Sequence, residues 1–110
     1  MRSAPEFRRT IRSGVRAGRS TLVVSALPAD PQAMSVRVGF VVSKAVGNAV
    51  TRNRVKRRLR HLSRSLVEST PAGTCVVVRA LPAAADPGAR LGEDLAGAWR
   101  TCLNKLEQRS

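Results

Sequence analysis

The stretch 43–64, SKAVGNAVTRNRVKRRLRHLSR, determines how the rest of this chain is read. It begins with a Ser-Lys pair and a Gly-Asn turn, and seven of the thirteen residues 52–64 are cationic. No acidic residue lies between Asp30 and Glu68. Because like charges at this density repel one another without a counter-charge, the stretch predicts a polyanionic partner.

The same stretch predicts a helix with two faces. Asn48 is a favourable N-cap residue, and the helix is expected to span 49–67. At helical spacing, one apolar stripe is formed by Val55, Leu59, Leu62 and Leu66. The opposite face carries Asn53, Arg57, Arg60, His61 and Arg64, flanked on one side by Arg52 and Lys56 and on the other by Arg54 and Arg58. The apolar stripe is expected to dock on a sheet and the cationic face to meet the partner.

The start of this helix is unusually basic. Arg52 and Arg54 lie in its first two turns, and Lys44 precedes the turn. Cations at a helix N-terminus oppose its dipole by roughly 0.3–1 kcal/mol per exposed group. Phosphates docked on the amides of residues 48–51 would make these charges favourable, so the sequence predicts a phosphate-binding helix start. The site is expected to continue along the face that carries Arg57, Arg60 and Arg64.

Outward from this helix, the pattern predicts one domain, 1–110, with the element order α-β-β-α-β-α and a single sheet. Helices are expected at 5–13 and 90–107, and strands at 21–27, 35–43 and 75–80; residues 15–20 are interpreted as a connector and 28–33 as a turn. The first two strands are expected to form an antiparallel hairpin. The continuous apolar strand 75–80 is expected at the centre of the sheet, parallel to strand 35–43.

The charge is distributed unevenly along the chain. Residues 1–67 hold fifteen cations and two acids, and therefore the whole formal charge of +13, whereas residues 68–110 hold five of each. The partner is therefore expected to engage the first two thirds, with the remainder as scaffold. Seventeen of the twenty cations are Arg, whose planar fork suits phosphate. The residues alone leave RNA and DNA open, because a basic helix can also enter a DNA major groove.

Several residues have structural interpretations. Cys75 and Cys102 are expected to be reduced core thiols, and Trp99 is expected to anchor the core. Phe7 and Ile11 share one face of the first helix, where they either pin it to the core or line a groove in which a nucleotide stacks. No apolar run approaches a membrane span and no signal-peptide core is present, so a cytoplasmic location is expected.

The sequence gives little basis for an autonomous active site. Hydrolysis needs paired carboxylates, a metal cluster or a nucleophile with its base. His61 is the single histidine and lies on the basic face, and Glu93 and Asp94 begin the last helix, where they complement its dipole.

The basic stretch resembles the signature of the bacterial ribonuclease P protein subunit, which runs Ser-Lys-Lys-x-Gly-Asn-Ala-Val and then x-Arg-Asn-Arg-x-Lys-Arg-x-x-Arg. The matching residues are Ser43, Lys44, Gly47, Asn48, Ala49, Val50, Arg52, Asn53, Arg54, Lys56, Arg57 and Arg60. More weakly, EFRRTIRSG resembles the family's first helix, and VRVGFVVS and CVVVRAL resemble its flanking strands.

The resemblance implies an α+β two-layer sandwich with a small mixed sheet, similar to the second domain of ribosomal protein S5, with a left-handed βαβ crossover. It also implies a protein without catalytic residues, whose RNA subunit uses bound Mg²⁺ to remove the 5′ leader of precursor tRNA; no obligate protein partner is implied. The implied RNA-subunit contacts are Lys44, Asn48, Arg52, Asn53, Arg54, Lys56, Arg57, Arg60 and Arg64. The implied leader cleft lies between the first helix and the sheet, at Phe7, Arg8, Ile11, Val36 and Val38.

The chain departs from the family pattern at several positions. Ala45 replaces the second Lys of the signature, and His61 replaces an acid. Ile11 and Ser25 stand where the family often has aromatic residues, so less stacking on leader bases is expected. The alternative hypotheses are a ribosomal-type structural RNA-binding protein with no role in cleavage and a DNA-binding module.

Overall fold

The structure, a computed structural model, describes residues 4–28 and 32–109. Its helices are α1 (Ala4–Ser13), α2 (Ala49–Glu68) and α3 (Leu91–Arg109), and a short 3-10 helix spans Pro82–Ala85. Its strands are β1 (Val15–Gly18), β2 (Leu22–Pro28), β3 (Arg37–Val41) and β4 (Thr74–Ala80). The predicted turn at 28–33 falls largely on residues 29–31, outside the described residues.

The most apolar strand organises the sheet. Every residue of β4 except Arg79 is buried, and the strand order β1-β2-β4-β3 places β4 between two neighbours. β4 pairs antiparallel with β2 and parallel with β3, with Val38 opposite Val76. The sheet is therefore mixed, and both the predicted central position of this strand and its parallel pairing are confirmed.

The two faces of the sheet have different roles. Val24, Val76 and Val78 belong to the main core, together with the buried stripes of α2 and α3. The alternate residues, including Ser25, Val77 and Gly39, point to the other face because side chains alternate along a strand. α1 covers only part of that second face, which leaves a groove beside it.

Two expectations about the sheet are wrong. The strands β2 and β3 do not form a hairpin, because β4 lies between them and bonds to both. The hairpin instead joins β1 to β2, and β1 occupies the residues interpreted as a connector. A strand of four residues that follows Gly14 and ends at Gly18 carries too short an alternation to be recognised from sequence.

The helices agree closely with the predicted segments. Val55 and Leu59 of α2 are buried, and Leu62 and Leu66 are partly buried against the same core. Trp99 is 1% exposed and its Nε1 donates a hydrogen bond to Thr70 Oγ1 at 2.8 Å, which ties α3 to the end of α2. The predicted stripe of α2 and the predicted core role of Trp99 are confirmed.

The last helix also holds the β1–β2 hairpin. Asp94 Oδ2 accepts hydrogen bonds from the Thr21 hydroxyl at 2.7 Å and the Thr21 amide at 3.2 Å. Lys105 Nζ donates to the carbonyl oxygen of Arg16 at 2.6 Å, and Arg19 donates to Thr101 Oγ1 at 3.2 Å. The hairpin is therefore fixed to α3 at β1 and at its turn.

None of the described helices combines the length and the apolar character that crossing a membrane requires.

The two cysteines are free and buried, as predicted. Burial raises the pKa of the Cys102 thiol to about 11, and burial also raises the pKa of the Cys75 thiol. Cys102 Sγ lies 3.2 Å from the carbonyl oxygen of Val24, to which it donates. The folded state therefore favours the protonated thiols.

Replacing Gly39 by Ala should loosen α1. A Cβ atom at Gly39 would lie 2.6 Å from a ring carbon of Phe7, so the ring would have to move away from β3. We expect the free energy of unfolding to fall by about 1–3 kcal/mol, measured by denaturant titration. Gly88→Ala is the control, because no atom lies within 4 Å of its Cβ position. Equal effects of the two substitutions would contradict this packing.

The thiols should also make stability depend on alkaline pH. Above a pH of about 9 the unfolded chain loses the Cys102 proton first, whereas the folded chain keeps it up to about 11. The free energy of unfolding should therefore fall across this interval, and it should fall less steeply in Cys102→Ala. Denaturant titrations at a series of pH values measure both slopes, and parallel slopes would exclude Cys102 as the cause.

Candidate nucleic-acid interface

The basic helix begins at a capped turn. Asn48 precedes α2, and its Oδ1 accepts a hydrogen bond from the Thr51 amide at 2.9 Å, which confirms the predicted N-cap. The Thr51 amide is therefore occupied, and the expectation that it is free for phosphate is wrong. Within the described residues, the amides of Asn48, Ala49 and Val50 have no hydrogen-bond partner. These three donors point out of the positive end of the helix dipole.

Lys44 lies in the turn that leads to this helix start. It is exposed, and its carbonyl oxygen accepts a hydrogen bond from the Gly47 amide at 3.2 Å. The turn therefore places the Lys44 charge next to the same exposed end of α2.

The cations of α2 form no ion pair with the residues that the structure describes. The ion pairs among the described residues are Arg37–Glu6, at 3.1 Å, and Arg90–Glu93, at 3.5 Å, and neither includes a residue of α2. A shallow depression of about 520 Å³ on the outer face is lined by Arg54, Arg57, Arg58, Arg60, His61 and Arg64. This arginine face therefore presents five guanidinium groups that form no ion pair among the described residues.

A second, smaller depression lies on the other flank of α2. It encloses about 150 Å³ beside Val42 and Ala49 and is lined also by Arg52, Asn53 and Lys56. The Arg52 Nε is buried and has no hydrogen-bond partner in the part of the chain that the structure describes. A buried donor without a partner costs about 1–3 kcal/mol, so a ligand that accepts from Arg52 would recover this energy.

The predicted RNA-subunit residues all lie on α2 or in the turn before it. On the helix they form two groups, one on each flank. Arg54, Arg57, Arg60 and Arg64 share the arginine face, whereas Arg52, Asn53 and Lys56 share the smaller depression. Asn48 caps the helix between Lys44 and both groups. A partner that contacts all of them has to wrap around the start of α2.

A groove of about 380 Å³ lies between α1 and the exposed part of the sheet. Its apolar wall includes Ile11, which is 39% exposed, and Val23, and its cationic residues are Arg16 and Arg79. Gly18, Ser25 and Val77 complete the lining. All the strand residues in this set lie on the sheet face away from α2 and α3.

The structure brings together only part of the predicted leader cleft. Ile11 lines the groove, whereas Phe7 packs on Gly39 and Arg8 is exposed on α1 outside the groove lining. Val36 and Val38 pack against the main core on the opposite side of the sheet, so the expectation that they share a cleft with Phe7 is wrong. The alternation of β3 explains this, because Gly39 rather than Val38 faces α1.

Sequence reasoning missed the two cationic residues of the groove. Arg79 interrupts an otherwise buried strand, and a single charge in an apolar strand is a detectable signal that one face is open. Arg16 could not be placed in the same way because β1 was not recognised. Ser25 was noted only as a departure from an aromatic residue, and it lies in the groove lining.

Comparison with known proteins identifies relatives over nearly the whole chain. The family model described as Ribonuclease P matches residues 1–106. The ribonuclease P protein component of Nocardioides sp. strain JS614 is 58% identical over 97 residues, covering 86% of this chain and 83% of its own. That of Kocuria rhizophila is 53% identical over 106 residues, covering 96% and 92%.

A solved structure supports the fold independently. The RNase P protein of Staphylococcus aureus has a TM-score of 0.74 to this chain at 24% identity, with 92% of each chain covered. Basic α2, the mixed sheet and the family match over residues 1–106 agree with one another. The chain belongs to the ribonuclease P protein family and is a protein subunit of that tRNA-processing endoribonuclease.

Proposed function

We propose that α2 binds the catalytic RNA subunit of ribonuclease P, and that the groove beside α1 holds the single-stranded 5′ leader of precursor tRNA. In this proposal the RNA performs the cleavage and the protein contributes binding alone. The observation that carries the proposal is the arginine face of α2, whose cations form no ion pair among the described residues.

The start of α2 supports contact with a phosphate backbone. Three unpartnered amides lie at the positive end of the helix dipole, and the unpartnered Arg52 Nε lies on one flank. A phosphate accepts from backbone amides and guanidinium groups at once. One RNA backbone that passes over Asn48 would satisfy donors that the fold leaves without partners.

The groove beside α1 supports binding of a single strand. Its described lining contains no aromatic side chain, so bases cannot stack there on rings. The guanidinium planes of Arg16 and Arg79 can take over this role, since arginine stacks on bases and also pairs with phosphate. Ile11 and Val23 then supply apolar contact to the base faces.

The described residues offer no donor set for the Mg²⁺ ions that this proposal requires. The described residues contain no group of three His, Cys, Asp or Glu side chains placed to hold a metal. The other described residues around His61 in its depression are all arginines, which repel a cation and offer no base. We therefore assign the Mg²⁺ and the chemistry to the RNA subunit.

Reconstitution tests the whole proposal. The protein is combined with the cognate RNA subunit at low Mg²⁺, and cleavage of precursor tRNA is measured with and without it. We expect the protein to stimulate cleavage. We also expect the complex of protein and RNA subunit to bind precursor tRNA more tightly than mature tRNA. A protein that binds the RNA subunit without either effect would be a structural RNA-binding protein instead.

The double substitution Arg54→Ala with Arg57→Ala should weaken binding to the RNA subunit. Each lost phosphate contact should flatten the dependence of log K on log salt concentration by about one unit of slope. Filter binding across a salt series measures this slope.

The matched control removes the same charge from α3, by Arg100→Ala with Arg109→Ala. Both arginines are exposed and lie outside the two depressions of α2. If both double variants changed the slope equally, net charge rather than the arginine face would account for the affinity.

Arg79→Ala should selectively weaken binding of the leader. Loss of one stacked, charge-assisted contact should reduce the affinity of the holoenzyme for precursor tRNA by about 1–2 kcal/mol and leave mature tRNA unaffected. Arg79→Lys keeps the charge but not the planar fork, so its affinity for precursor tRNA should lie between those of the unsubstituted protein and Arg79→Ala. Equal losses for precursor and mature tRNA would place Arg79 outside the leader site.

A further inference from the structure

A fourth cavity lies between the second and third turns of α2 and the segment that follows β4. It encloses about 270 Å³ and is lined on α2 by Arg54 and Arg58. The segment after β4 contributes Ala85, Asp86 and Pro87, and Leu91 of α3 lies at its base. Arg54 and Arg58 also line the arginine face, so the cavity opens from the edge of that face.

The cavity contains an acid where the basic face otherwise has none. Asp86 is exposed and distant from α2 in sequence, and the fold places it in the lining of the same cavity as Arg54 and Arg58. Within the described residues, its carboxylate forms neither an ion pair nor a hydrogen bond, and Arg54 and Arg58 also form no ion pair. Among the described residues, the Asp86 carboxylate and the guanidinium groups of Arg54 and Arg58 thus line one cavity without forming ion pairs.

The size and lining of the cavity suit a nucleobase. Sites for drug-sized ligands enclose roughly 300–1,000 Å³, so this smaller cavity suits one planar base rather than a whole nucleotide. Pro87 and Ala85 provide apolar contacts for its faces, and the buried Leu91 closes the cavity beneath them. Arg54 and Arg58 are placed to pair with the adjoining phosphates.

The carboxylate selects among the bases. Two carboxylate oxygens accept two parallel hydrogen bonds, and guanine alone offers two adjacent N–H donors, N1 and N2, on its Watson–Crick edge. Adenine and cytosine offer one amino group beside an acceptor that the carboxylate would repel, and uracil offers one imino group between two such acceptors. An unpaired guanine is therefore the best-matched occupant.

We propose that the cavity formed by Arg54, Arg58, Asp86 and Pro87 binds an unpaired guanine of the RNA subunit, with Asp86 accepting from its N1 and N2. This inference rests on the proposed binding of the RNA subunit along α2. It adds a base-specific contact to a surface that otherwise recognises phosphate.

The substitution Asp86→Asn tests the proposal by the sign of its effect. Removing a negative charge from a surface that binds a polyanion should strengthen binding if Asp86 makes no contact. If Asp86 reads guanine, the substitution should instead weaken binding of the RNA subunit about tenfold, since a bidentate base contact is lost. Glu68→Gln is the matched control, because it removes one exposed acid from the far end of α2.

Chemical footprinting identifies the base directly. Kethoxal modifies unpaired guanine at N1 and N2, the two atoms assigned to Asp86. In the complex with unsubstituted protein, one guanine of the RNA subunit should be protected, and Asp86→Asn should restore its reactivity. Glu68→Gln should leave it protected.

The outcomes separate this inference from the proposed function. Two results would overturn the guanine site alone. One is that Asp86→Asn binds the RNA subunit more strongly than the unsubstituted protein does. The other is that the kethoxal pattern of the RNA subunit is the same with and without the protein, in a complex that still stimulates cleavage. Protection of an adenine or cytosine at this position, detected with dimethyl sulfate, would overturn the assignment to guanine. Failure of the unsubstituted protein to bind the RNA subunit would overturn the proposed function itself.

Discussion

The burial of β4 on both faces is the constraint on which the rest of the structure depends. Because this strand bonds to β2 on one side and β3 on the other, it separates two segments that are neighbours in sequence. One of its faces completes the main core with α2 and α3, and the other supports α1 and the groove. The core and the candidate leader site are thus opposite sides of the same strand, and the alternation of side chains keeps them apart.

The basic helix α2, unlike the sheet, has only one face that packs against the protein. Its apolar stripe docks on the core, and its remaining cationic residues face away from it. The cations near the helix start and the buried Arg52 Nε, which has no partner among the described residues, carry an unfavourable energy in the free protein, whereas the exposed amides of residues 48–50 are open to water. The proposed contact with RNA at the start of α2 would recover this energy.

The sequence predicted the elements whose hydrophobic pattern extends over many residues and missed those whose pattern covers only a few. The predicted basic helix, its cap at Asn48 and the core position of Trp99 agree with the structure, since each depends on local spacing. Strand β1 and the pairing partner of β2 depend on contacts between distant segments, which no local pattern reports. The same limit explains why Val38 was assigned to the wrong face and why Asp86 was not associated with α2.

The contacts between α3 and the β1–β2 hairpin change the role of the last third of the chain. The charge distribution predicted a scaffold role for residues 68–110, and in the structure Lys105 bonds to the strand that carries Arg16 into the groove while Asp94 holds the turn that follows this strand. Segments joined in this way exchange their amide hydrogens together, because neither opens without the other. We therefore expect the hairpin and the C-terminal helix to open as one cooperative unit, so that a helix outside the groove lining supports one wall of the groove.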